Sequence, residues 1–155
     1  MNTQEKLREH LLELLNGKSA HIDLKTVLNE FPIDEINTRL ENAPHTAWEL
    51  LEHLRIAQRD IVEFSRDANH ASPKFPDGYW NKKEATTEDW QTSRKQVFND
   101  LQTMCDLIAN EKTDLLAPIP HGDGQTILRE ALLVADHNTY HLGQIAFLMR
   151  ILEKK

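Results

Sequence analysis

Cysteine is nearly absent: the 155 residues contain one, Cys105, so an intramolecular disulfide is excluded. Glycine is scarce, at five, and the six prolines fall between the helical stretches rather than inside them. No apolar run approaches the ~18 residues that a bilayer-spanning helix needs. Positive charge is in deficit, with 18 Lys and Arg against 25 Asp and Glu and a net charge of −7. The cationic runs, Lys82-Lys83 and Lys154-Lys155, are too short to track a phosphate backbone, which argues against a nucleic-acid partner. The opening "MNTQEKLREHLLELL" has no signal-peptide cleavage pattern, so a cytoplasmic protein is expected. Strand-like alternation, internal repeats and low-complexity tracts are also missing.

What is there is helical periodicity. The length suits one domain over residues 1–155, large enough to bury a core without staples. Leu7, Leu11, Leu14 and Leu15 set a first helix over 3–16, with Gly17 as its stop. A shorter helical piece is predicted from Asp23 to Phe31, ending at Pro32. A second long helix starts near His45 or Thr46 and carries Leu50, Leu54, Ala57, Ile61 and Phe64 as an apolar stripe. Residues 67–86 are the least regular segment, a long loop with Tyr79 and Trp80, and loops of this length inside a compact domain are often functional. A third helix opens at Thr86 or Thr87 and carries Trp90, Val97, Leu101, Met104 and Ile108. The fourth runs from about Gln125 to Leu152, with Ile127, Ala131, Val134, Asn138, His141, Ile145, Leu148 and Leu152 on one stripe. Four long amphipathic helices with one long connection predict an all-α fold of the four-helix-bundle kind.

The fourth stripe is unusual in carrying imidazoles. Each helical residue advances by about 100°, so His141 lies roughly 40° and His137 roughly 80° from the centre of the face, on the same side, with Gln144 extending that edge. On the second long helix, His53 flanks the core stripe between Leu50 and Ala57, near Asp60. A histidine turned toward a core is costly unless both ring nitrogens are satisfied. Three of them facing one interior call for a shared partner, and a divalent metal takes one nitrogen from each ring while the other keeps a hydrogen bond. Position 138 is Asn, so the metalloprotease pattern H-E-x-x-H fails. The Glu-x-x-His pairs of di-iron bundles fail too, since Val134 and Asn138 stand three residues before the two histidines. The alternative is that these imidazoles hydrogen-bond one another and hold no metal.

Other residues take plainer readings. His10 and His21 belong near the surface, His70 in the loop, and His45 at a helix start. His121, in "PHGDG", is a distant candidate for a fourth ligand. Cys105 sits on a core stripe and reads as buried and structural rather than nucleophilic. Tyr79, Trp80 and Trp90 read as packing before ligand binding. Asp60 is a possible acceptor for His53, and Tyr140 lies around the helix from His141. Asn138 needs a buried partner, either a neighbouring histidine or a group across a dimer interface.

"WELLEHLRIAQRDI" at 48–61, "YW" at 79–80 followed by "EDW" at 88–90, and "ADHNTYHLGQI" at 135–145 together resemble the DinB-like superfamily, also called YfiT-like metal-dependent hydrolases. The resemblance spans nearly the whole chain, and its most specific part is the terminal H-x-x-x-H-x-G-Q-I. It implies an up-down-down-up four-helix bundle with a long crossover. It also implies a divalent metal, zinc or nickel foremost and iron as a further option, held by His53, His137 and His141. Family members of this kind are often homodimers. Several transfer a low-molecular-weight thiol such as bacillithiol, mycothiol or glutathione to a small electrophilic molecule, and one branch isomerises maleylpyruvate with a thiol cofactor. The resemblance therefore implies a metal-dependent thiol S-transferase or hydrolase, with a non-catalytic metal-binding or stress-related bundle as the alternative.

Overall fold

A computed structural model of the chain describes residues 3–153. They form five α-helices: α1 (Thr3–Leu15), α2 (Leu24–Glu30), α3 (Ala47–Arg66), α4 (Thr87–Ala109) and α5 (Ile127–Leu152). Among the described residues there is no β-strand, only an isolated bridge between Pro118 and Thr126. No helix is long and apolar enough to cross a membrane. The chain is thus all-helical as read from its periodicity, and the short piece expected at 23–31 is α2.

Each start has a local cause. Asp23 accepts from the backbone N–H of Thr26 at the head of α2. Thr46 with Glu49, and Thr86 with Asp89, form reciprocal capping boxes at the heads of α3 and α4. α5 begins at Ile127 rather than near Gln125, because Thr126 is its cap and the Gln125 side chain instead accepts from the backbone of Asp123. Gly17, at φ +80°, turns the chain out of α1 through a conformation that side-chain-bearing residues rarely adopt.

α3 lies along both α4 and α5, while α1 packs on α4 and α5, and α2 on α5. All eight residues of the stripe read on the fourth long helix are buried on α5. The buried face of α3 differs from the single stripe expected. Ile61 and Phe64 are only half-buried, whereas Leu51, Gln58, Val62 and Ser65 are buried, because a helix with two long neighbours hides a wide face.

The apolar core falls into two clusters. One gathers Leu50, Leu51 and Leu54 of α3 with Trp90 and Val97 of α4 and Leu142 and Ile145 of α5. The other gathers Val62, Met104, Cys105 and Ile108 with Ile127, Ala131 and Val134. Between them stand Gln58 on α3 and His137, Asn138 and His141 on α5, while His53 lies within the stretch of α3 that the first cluster uses. In this polar layer Asn138 Nδ2 donates to Gln58 Oε1 at 2.7 Å, and Gln58 Nε2 donates to the Val97 carbonyl at 2.7 Å. Three helices are therefore tied through one buried amide pair.

Candidate metal centre

α3 and α5 carry the three histidines to the edge of this layer. One nitrogen from each of His53, His137 and His141 lies within 4.8 Å of the others, so the set can hold a metal ion. The ring centroids are 5.0 Å apart for His53 and His137, 4.6 Å for His53 and His141, and 4.5 Å for the pair on α5. Adjacent turns of α5 bring its two rings together edge-on, and α3 supplies the third across the helix interface.

The outward nitrogens decide what the inward ones can do. His53 Nδ1 donates to the carbonyl oxygen of Tyr79 at 3.0 Å. A carbonyl only accepts, so the proton of a neutral His53 sits on Nδ1 and Nε2 presents a lone pair. His141 is turned the same way by its 2.7 Å contact from Nδ1 to Gln144 Oε1. His137 Nε2 lies 3.2 Å from His53 Nε2, and His137 Nδ1 is buried without a partner. The donor set fits a divalent ion that accepts imidazole nitrogen. With metal–nitrogen bonds of about 2.0–2.1 Å, two ligands of a tetrahedral ion stand about 3.3–3.4 Å apart, close to the observed spacing.

Burial and mutual proximity also set the protonation states. His137 and His141 are pushed down to about 4, mainly by burial, with neighbouring imidazoles adding to the shift. His53 is lowered as well, again chiefly by burial, although its bond to Tyr79 works in the opposite direction. All three rings are neutral near pH 7, the form in which imidazole ligates metal.

The family follows from comparison of the whole chain. The model of the DinB superfamily matches residues 18–145, which include all three histidines. The chain belongs to the DinB superfamily. Comparison with curated proteins and with solved structures gave no match.

In this DinB-superfamily chain, residues 67–86 form one side of the centre. Trp80 lies flat on His53, with centroids 3.9 Å apart and planes 3° from parallel, and stacks on His45 at 4.0 Å. Trp80 is thus part of the site's wall, whereas Trp90 is buried in the core against Phe31, as packing. Asp60 is not the acceptor for His53. Its carboxylate accepts from the Tyr79 hydroxyl at 2.6 Å and pairs with His70 Nε2 at 2.7 Å. It therefore anchors the loop whose backbone carbonyl orients His53. Burial and the Asp60 contact push the Tyr79 hydroxyl up to about 12, so it stays protonated.

The histidines open into a cleft of about 440 Å³, also lined by Ala57, Phe75, Tyr79, Asp136 and Tyr140. Tyr140 sets its ring edge-on to His141, at 4.9 Å, so it reaches the site from its place farther around the helix. Asp136 and Phe75 were not legible as site residues. Asp136 sits on the outer face of α5, and Phe75 enters the cleft only through the path of an aperiodic loop. His121 bonds the Phe64 carbonyl at 2.6 Å, eleven residues along α3 from His53, and is no fourth ligand. Asn138 donates to Gln58 rather than to a histidine. Cys105 is buried, and burial raises its thiol, which suits a structural residue.

Proposed function

We propose that this chain holds one divalent metal at His53, His137 and His141 and uses it to activate a small thiol against an electrophilic molecule, as an S-transferase or hydrolase. The observation that carries this reading is the convergence of the three ring nitrogens on an open cleft, while the outer nitrogens of His53 and His141 are already held by Tyr79 and Gln144. Three protein ligands leave coordination positions free, the pattern of a catalytic rather than a structural site. A bound divalent metal supplies Lewis acidity, lowering the pKa of a thiol or water that it meets. The chain's own residues do the rest. Tyr79 and Gln144 keep lone pairs directed inward, Trp80 covers one face of His53, and Phe75, Tyr79 and Tyr140 give the cleft aromatic walls. Family resemblance supports zinc, nickel or iron as the ion. It also supports a homodimer of up-down-down-up bundles acting in the cytoplasm on small molecules.

The test is elemental mass spectrometry on untagged protein purified without nickel resin, beside His53→Ala and His141→Ala. The expected result is about one metal per chain, lost in both variants while circular dichroism keeps its helical signal. Full metal content in either variant would refute the triad. Metal-loaded protein is then screened with low-molecular-weight thiols and electrophiles. Turnover lost with the metal supports the enzyme, and metal without turnover supports the carrier.

A further inference from the structure

Asp136 is the one carboxylate among the side chains that line the cleft. Asp136 stands on α5 one turn before Tyr140, is exposed, and has no hydrogen bond or ion pair among the described residues. No Lys or Arg lines the cleft. The remaining wall is largely aromatic. Phe75, 81% exposed, and Tyr79 stand on the loop side with centroids 6.1 Å apart and planes at 60°, while Tyr140, 65% exposed, stands on the helix side. The Tyr79 hydroxyl is committed to Asp60, so what this residue offers the cleft is ring surface. Aromatic faces beside a free carboxylate favour a cation, because the ring quadrupole and the anion attract the same charge. A carboxylate or phosphate on the ligand would meet Asp136 with no counter-charge from the protein.

We propose that the ligand of this cleft carries an ammonium group held between Asp136 and the rings of Phe75, Tyr79 and Tyr140, an aminothiol being the simplest molecule of that class. The inference rests on the metal reading for its other end: the thiol meets the histidine centre and releases its proton to solvent, while the ammonium group stays at the rim. Recognition is then two-point, and it selects cationic thiols over anionic ones of the same length.

The test uses the full chain loaded with Co²⁺, whose visible bands report the metal and whose near-ultraviolet thiolate band reports thiol binding. Cysteamine, 2-mercaptoethanol and 3-mercaptopropionate are titrated into wild type, Asp136→Asn and Tyr140→Leu. Each thiol is compared with itself across the proteins, so its own acidity cancels. Asp136→Asn is expected to weaken cysteamine about five- to tenfold, leave 2-mercaptoethanol within about twofold and tighten 3-mercaptopropionate; Tyr140→Leu is expected to weaken cysteamine selectively. Unchanged cysteamine binding in Asp136→Asn, or equal loss for all three thiols, would overturn the proposal. Phenethylammonium, which needs no metal, is titrated in parallel into the metal-free chain and followed by NMR. Binding that weakens in Asp136→Asn supports the cationic subsite even where cobalt fails to bind, and no binding overturns it.

Discussion

Removing the Asn138 carboxamide leaves Gln58, which is fully buried, with an oxygen that no donor reaches. Asn138→Ala is therefore expected to destabilise the fold by about 1–3 kcal/mol in urea denaturation, the cost of stranding a buried acceptor. The double replacement Gln58→Leu, Asn138→Leu is expected to cost less than that single change, since no polar atom of the pair is left alone. At this scale the sequence was partly readable. The need of Asn138 for a partner followed from its place in an apolar stripe, and so did the orientation of the three histidines. Which partner Asn138 takes did not follow, because Gln58 lay off the α3 stripe that the apolar residues outlined. The role of Asp60 was misread for a related reason. Helical spacing puts it two turns from His53, but the loop delivers a backbone carbonyl to that histidine first.

Residues 67–86 act as a brace, fastened near the middle rather than only at the ends. Tyr79 gives its hydroxyl to Asp60 and its carbonyl to His53, Trp80 lies on His53, and Asn81 Nδ2 donates to Glu52 at 3.2 Å. Tyr79→Phe removes one of the loop's two attachments to Asp60, leaving that of His70, without touching a histidine of the centre. It is expected to lower metal affinity about tenfold in chelator competition, the scale typical of groups that orient a ligand. A ligand-orienting role further requires that the fluorescence of Trp80 respond to metal. Quenching by Co²⁺ is expected in wild type and is expected to be largely lost in Trp80→Phe, because Trp90 is buried in the core and Trp48 donates its indole N–H to the Lys83 carbonyl. Helices were legible through period and caps, down to Thr46 and Thr86. The brace was legible only as an aromatic interruption, since its contacts depend on a path that has no periodicity to betray it.

Across the whole molecule, the three imidazoles of the centre tie stability to pH. His137 and His141 titrate at about 4 in the folded chain, against 6.5 for an ordinary histidine, and His53 is lowered too. As pH falls below about 6.5 the unfolded chain takes up protons that the folded chain refuses, so metal-free protein loses stability until the pH reaches the folded values near 4. The urea midpoint is expected to fall between pH 7 and about pH 4.5, and to fall less in His137→Gln. Full pH sensitivity in that variant would mean that His137 contributes none of it. The all-helical class and the converging histidines were readable from one strand of letters because both follow from a repeat of 3.6. The division of the core was not, since it depends on how three separate helices are set along one another. That division has a mechanical meaning. Two greasy lobes alone would tolerate a slide of α5 along α3, and a slip of one turn would set Asn138 against Leu54 or Val62, both fully enclosed and apolar. The amide pair thus works as a vernier: only one axial setting closes it, and in that setting the imidazoles from the two helices come level.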